Sequence, residues 1–170
     1  MNKGRYSFAA GALVAGAGVA ALLLGLPGVQ AAGGVVAVHG VDYAYQGVPG
    51  TLPAGEARFS FTNDSKAESH EMSLFRINDG ETESFDQILA EDEAQRNQDQ
   101  AQQGNQTAPA PPKMTYFGGT GAGAGQSAKM DLIGNLPAGR YGMVCFLPVA
   151  NDASGTPHYK KGMKAEFTVK

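Results

Sequence analysis

Short segments in which apolar and polar residues alternate constrain the fold of this chain more than any other feature. Such segments lie at 35–46, 57–62 and 164–170, and more uniformly apolar ones lie at 70–77 and 140–147. A period of two is the pattern of a β-strand that buries one face. The 24 Gly, nine Pro and absent Trp also suit short strands and turns better than long helices. We therefore predict an all-β Greek-key sandwich of seven or eight strands in a single domain.

One short helix is expected to interrupt the strands. Ser84 and Gln87 have the spacing at which a hydroxyl and a side-chain amide close the first turn of a helix reciprocally, and an apolar stripe follows. We predict a helix from about Ser84 to Gln95. The stretch 95–112 is rich in Gln, Asn, Ala and Pro and has no apolar period, which predicts a flexible polar insertion.

The first 31 residues have the features of a signal peptide. Lys3 and Arg5 form a basic start, residues 8–26 are an uncharged apolar run, and small residues lead up to Ala31. We predict cleavage after Ala31, a folded domain at 32–170, and a secreted, periplasmic or cell-envelope location. The alternative is an uncleaved membrane anchor, because the apolar run approaches the ~20 residues that span a bilayer.

The charge of the chain argues against nucleic-acid binding, and its cysteine content excludes an internal disulfide. Without residues 1–31 the chain has 11 basic and 16 acidic groups, so phosphate backbones would repel it and nucleic-acid binding is not expected. The single cysteine, Cys145, cannot form an internal disulfide. It is therefore an intermolecular link, a buried apolar side chain or a metal ligand.

Side chains that soft transition metals prefer are concentrated in the stretch 141–163. This stretch contains Cys145, His158 and Met163, and His70 is the leading candidate for a fourth ligand. Each residue also has a simpler interpretation, because a cysteine or methionine in an apolar segment is often core and a loop histidine is often only solvated. His39 is interpreted as an ordinary strand histidine.

The order His70, Cys145, His158, Met163 in a β-rich chain resembles the cupredoxin family of small blue-copper proteins. In that family one histidine precedes a middle strand, and Cys, His and Met come from the loop that joins the last two strands. The four residues between His158 and Met163 match the family spacing. The resemblance covers roughly 35–170 apart from the helix and its polar continuation.

The resemblance implies a specific site and function. One copper ion would be bound by His70, Cys145, His158 and Met163 and would alternate between Cu(I) and Cu(II). The protein would transfer single electrons to a redox partner protein or hold copper outside the cytoplasm. It would be a monomer and not an enzyme.

The chain departs from the family in one respect, because twelve residues separate Cys145 from His158 where family members have only a few. Closing this longer loop costs only ~1.2 kcal/mol more than closing a three-residue loop. Pro148, Gly155 and Pro157 restrict the excursion, which can fold back and return His158 to the thiol.

Two alternative functions follow from the same sequence. The long loop motivates a cupredoxin-like interaction module without bound metal. An enzyme is the weakest alternative. A multicopper oxidase needs additional paired histidines, and only His39 remains; no Ser, His and Asp residues have a recognisable catalytic-triad spacing. Lys160, Lys161 and Lys164 surround the expected site, either as a solvated rim or as a guide for an acidic partner.

Overall fold

A computed structural model describes residues 34–101 and 111–170. The predicted signal peptide at 1–31 and residues 102–110 of the predicted insertion lie outside the described residues. Among the described residues, no helix is both long enough and apolar enough to cross a membrane.

Two β-sheets pack face to face, which confirms the predicted β-sandwich. One sheet has the strand order β2-β1-β4-β7 and the other β3-β9-β8-β5-β6. The strands are β1 (Val35–Val41), β2 (Ala44–Gln46), β3 (Thr51–Leu52), β4 (Gly55–Asn63), β5 (His70–Ile77), β6 (Met114–Ala122), β7 (Ser127–Leu136), β8 (Gly139–Val144) and β9 (Lys164–Val169). Both sheets are mixed, because β1 runs parallel to β4 and β3 runs parallel to β9.

Aromatic side chains from both sheets fill the core between them. Phe59 and Phe61 of β4 are each 1% exposed, as the predicted alternation of that strand requires. The ring of Phe59 lies 6.1 Å from the ring of Phe167 in β9, and Tyr141 of β8 stacks on Phe167 at 5.4 Å. Burial of rings this large is a major source of stability in a small sandwich.

The predicted single strand at 35–46 is wrong, because the chain reverses within it. Asp42 and Tyr43 have φ angles of 35° and 69°, and Val41 pairs with Ala44 across a two-residue turn. Two central residues with positive φ are the mark of the hairpin turns that match the twist of β-strands. The reversal makes β1 and β2 an antiparallel pair, so residues 35–46 do not form one continuous strand.

Helix α1 (Phe85–Ala101) begins as predicted and ends later. The Ser84 amide donates to Gln87 Oε1 at 2.9 Å, and the Gln87 amide donates to Ser84 Oγ at 3.3 Å, which is the expected reciprocal cap. Beyond the predicted end at Gln95 the helix continues to Ala101. Gln, Ala and Arg have good helix propensity, and Gln95 bonds Asp99 one turn later, so no apolar stripe is needed there.

Helix α1 packs on the sheet next to the candidate site. Its buried residues Phe85, Ile88 and Leu89 form a second apolar cluster with Val144 and Tyr159, which lie beside Cys145 and His158 in the sequence. Lys160 and Lys164 form ion pairs with Glu93 and Asp86 of the helix. These two lysines therefore connect the helix to the segment that contains His158 and Met163.

Gly142 of β8 leaves the room that the Phe85 ring of helix α1 occupies. A Cβ atom at Gly142 would lie 2.2 Å from Cε2 and Cζ of Phe85. We expect Gly142→Ala to displace Phe85 and to lower the free energy of unfolding by about 1–3 kcal/mol in denaturant titrations. Gly50→Ala is the matched control, because nothing lies within 4 Å of a Cβ atom there. Equal stability of the two variants would contradict this account of the packing.

Candidate metal centre

Neighbouring strands place His70 and Cys145 at the same end of the five-stranded sheet. His70 is the first residue of β5, and Cys145 directly follows Val144, the last residue of β8. The two strands are antiparallel neighbours in which Ser73 pairs with Val144. The Glu71 amide therefore faces the Cys145 sulfur, at an N–S distance of 3.4 Å.

The long loop between Cys145 and His158 folds back on itself as a hairpin. Pro148 and Pro157 form an isolated bridge, and the Val149 amide donates to the Thr156 carbonyl at 2.9 Å. At the tip, the Asp152 carboxylate accepts from the Ser154 amide at 2.9 Å. The extra residues thus fold back, as expected from the sequence, and they also form a short ladder that was not predicted.

The base of this hairpin returns His158 to the cysteine. The His158 amide donates to the Leu147 carbonyl at 2.9 Å, and the Tyr159 amide donates to the Cys145 carbonyl at 3.0 Å. His158 begins a 3-10 helix, His158–Lys161, which ends at Gly162 with φ 116°. This left-handed conformation favours glycine and turns the chain toward Met163.

The histidines and the cysteine converge in the interior. His70 Nδ1 lies 3.1 Å from His158 Nδ1, which lies 3.3 Å from Cys145 Sγ. The three ligand atoms are all within 4.8 Å of one another, and all three residues are 0% exposed. His70 and Cys145, which lie 88 and 13 residues before His158 in the sequence, thus form one buried cluster with it.

Backbone hydrogen bonds link Met163 to His158 and Cys145. Its amide donates to the His158 carbonyl at 3.1 Å, and its carbonyl accepts from the Cys145 amide at 3.1 Å. The side chain is 0% exposed, and its Cε approaches Gly40 so closely that a Cβ there would lie 3.0 Å away. Gly40 therefore leaves the room that the methionine side chain occupies.

The two shorter separations between the ligand atoms fit a bound metal ion. Nitrogen and sulfur atoms bound to a d-block ion at about 2.0 and 2.3 Å, with angles of about 100–120°, are roughly 3.1–3.7 Å apart. The observed separations of 3.1 and 3.3 Å lie in this range. A thiol with two neutral imidazoles is also the donor set that copper favours.

Burial sets the protonation of the cluster. It raises the pKa of the Cys145 thiol to about 11, although the Glu71 and Leu147 amides lower it by facing the sulfur. Burial, with a smaller contribution from His158, lowers the pKa of His70. The metal-free site therefore favours the neutral thiol and a neutral His70, and a bound cation would reverse the preference of the thiol.

Glu68 and Tyr43 complete the surroundings of the histidines, and the sequence analysis identified neither. The Tyr43 ring lies edge-on to His158 at 5.0 Å, and its hydroxyl donates to Glu68 Oε1 at 2.9 Å. Glu68 Oε2 lies 3.4 Å from His158 Nε2. The position of Glu68 two residues before His70 was the only available signal, because Tyr43 reaches the site through the unpredicted chain reversal.

His39 does not contribute to the cluster. It lies in β1, and its Nδ1 is 2.7 Å from Asp64 Oδ2, with both side chains more than 40% exposed. This agrees with its interpretation as an ordinary strand histidine.

Comparisons with solved structures identify the fold. Auracyanin from Roseiflexus castenholzii, reduced with dithionite, is 24% identical to this chain, with a TM-score of 0.51 over 82% of this chain and 98% of auracyanin. The chain has the cupredoxin fold. Auracyanin A of Chloroflexus aurantiacus, described as a "blue" copper protein, is 19% identical, with a TM-score of 0.48 over 80% of this chain and 98% of its own.

Rusticyanin of Thiobacillus ferrooxidans is another solved structure to which the chain is similar. It is 16% identical, with a TM-score of 0.43 over 80% of this chain and 76% of its own. No protein-family model and no curated protein matches the sequence. The fold assignment therefore rests on the structure, and the side chains of the cluster are the basis for any ligand set.

The lowered pKa of His70 makes the metal-free protein sensitive to acid. Below about pH 6.5 the unfolded chain takes up a proton at this histidine before the folded chain does, so the free energy of unfolding falls. We expect this decline between pH 7 and pH 5 in denaturant titrations with chelator present, and a shallower decline for His70→Asn. The account is wrong if His70→Asn retains the wild-type slope.

Proposed function

We propose that this protein binds one copper ion through His70 Nδ1, Cys145 Sγ and His158 Nδ1, with Met163 as a fourth, weaker ligand, and transfers single electrons. The observation that carries this proposal is the mutual approach of the three ligand atoms in a fully buried cluster. When bound, copper supplies the chemistry, a one-electron change between Cu(I) and Cu(II).

The backbone around the site supports a fixed ligand geometry. The hydrogen bonds that link Cys145 to Tyr159 and Met163, and His158 to Leu147 and Met163, hold the ligand-bearing segments together before any ion is present. A site that barely rearranges between two oxidation states suits electron transfer, because little solvent or side-chain movement accompanies each step.

The role of Met163 follows from its connections. It lies five residues after His158, is fully buried and has both backbone polar groups bonded to other proposed ligands. A thioether is a soft and weak donor, which suits copper better than zinc or magnesium.

The remaining parts of the proposal concern the setting of the protein. We infer export through the signal segment at 1–31, a monomeric state, and exchange of electrons with a partner protein rather than catalysis. Of the rim lysines, Lys161 is exposed, whereas Lys160 and Lys164 are paired with carboxylates of helix α1. A partner would therefore meet a less positive rim than the three lysines in the sequence suggested.

Adding Cu(II) to the folded protein tests the proposal. We expect an intense visible absorption from thiolate-to-copper charge transfer at one copper per chain. Cys145→Ser should abolish it, because a hydroxyl does not supply that transition. His39→Gln is the matched control and should keep the full absorption, since His39 lies outside the cluster.

The metal-free interaction module predicts a different result. It requires a colourless protein whose melting temperature is unchanged by copper, whereas the copper site predicts a rise through preferential binding to the folded state. A colourless product with no thermal shift would refute the proposed function.

A further inference from the structure

We propose that Glu68 is a positioning residue for His158, directing its Nδ1 toward the cysteine sulfur, and that its carboxylate charge favours the oxidised copper ion. This inference rests on the proposed copper site. It concerns a residue outside the ligand set and predicts how the chain adjusts the potential of that site.

The His158 ring is oriented with Nδ1 toward the cluster and Nε2 toward Glu68. Its Nδ1 lies 3.1 Å from His70 Nδ1 and 3.3 Å from Cys145 Sγ, so Nε2 is on the opposite side of the ring. Nε2 is buried and has no hydrogen-bond partner of standard geometry among the described residues. The Glu68 carboxylate lies 3.4 Å from it, slightly beyond an ordinary N–H···O bond.

Hydrogen bonds to both its side chain and its backbone fix the position of Glu68. Its carboxylate accepts from the Tyr43 hydroxyl at 2.9 Å and from the Ala150 amide, in the long loop, at 3.0 Å. Its backbone is held as well, because its carbonyl accepts from Asn63 Nδ2 at 2.8 Å and its amide donates to Ser65 Oγ at 3.1 Å. The side chain is only 13% exposed.

These contacts favour the ionised carboxylate. Both the Tyr43 hydroxyl and the Ala150 amide donate to it, and an ionised carboxylate only accepts hydrogen bonds. A partly buried negative charge next to an imidazole is screened less than a fully exposed one.

The chemical consequence has two parts. A carboxylate facing Nε2 stabilises the tautomer that carries hydrogen there, which leaves the Nδ1 lone pair free for the ion. The same negative charge stabilises the more positive oxidised ion over the reduced one. Neutralising Glu68 should therefore shift the equilibrium toward Cu(I).

A purely structural role for Glu68 is the competing explanation, because the carboxylate also holds the loop at Ala150. Glu68→Gln separates the two roles. The amide keeps an oxygen that accepts from Ala150 and Tyr43, so the loop is retained while the charge is lost.

Redox titration of copper-loaded protein tests the charge. We expect Glu68→Gln to raise the Cu(I) to Cu(II) ratio at a fixed solution potential on the order of tenfold, which is about 59 mV for one electron. Glu56→Gln is the matched control, since it removes an equal charge from an exposed position in β4 paired with Arg58. A shift no larger than that of Glu56→Gln would overturn the inference.

The metal-free wild-type protein provides an independent measurement. In ¹⁵N NMR spectra at pH 8, the His158 imidazole should carry its hydrogen on Nε2. A predominant Nδ1–H tautomer would overturn the positioning role, whether or not copper binds. If the wild type fails to give the charge-transfer absorption, the proposed function fails and the tautomer still decides this inference.

Discussion

The hydrogen bonds at the base of the 146–157 loop are the constraint on which the rest of the site depends. They join Leu147 to His158 and Cys145 to Tyr159, so a twelve-residue excursion begins and ends at one point. Because the loop closes its own ladder at Pro148 and Pro157, its length adds little freedom at the ligands. The sandwich then supplies His70 from the adjacent strand, already aligned with the cysteine by the register of β5 and β8.

Burial of the two imidazoles is costly for the fold. Among the described residues, His70 Nε2 and His158 Nε2 are buried with no partner of standard geometry, and an unsatisfied buried polar group costs about 1–3 kcal/mol. A fold that only needed a core would place apolar side chains here, as it does at Phe59 and Phe61. Two imidazoles whose Nδ1 atoms meet beside a buried thiol form the arrangement expected if Nδ1 and Sγ bind one ion, while each Nε2 is directed away from it.

The sequence allowed the architecture and the candidate ligands to be predicted, because both depend on local patterns. The alternation in β4, the reciprocal cap of helix α1 and the spacing from His158 to Met163 can all be read from neighbouring residues. The reversal at Asp42 and Tyr43 could not be predicted, since neither residue is a glycine and the alternation continues through the turn. The position of Glu68 beside His158 depends on that reversal and on loop geometry, neither of which leaves a periodic signal.

X-ray absorption at the copper edge of the loaded protein tests the central claim most directly, because it reports the atoms bound to the ion. The account predicts one short copper–sulfur distance and two copper–nitrogen distances from imidazole, with the sulfur scatterer lost in Cys145→Ser. A first coordination sphere of nitrogen and oxygen alone in the wild type would contradict it and would place copper elsewhere on the protein.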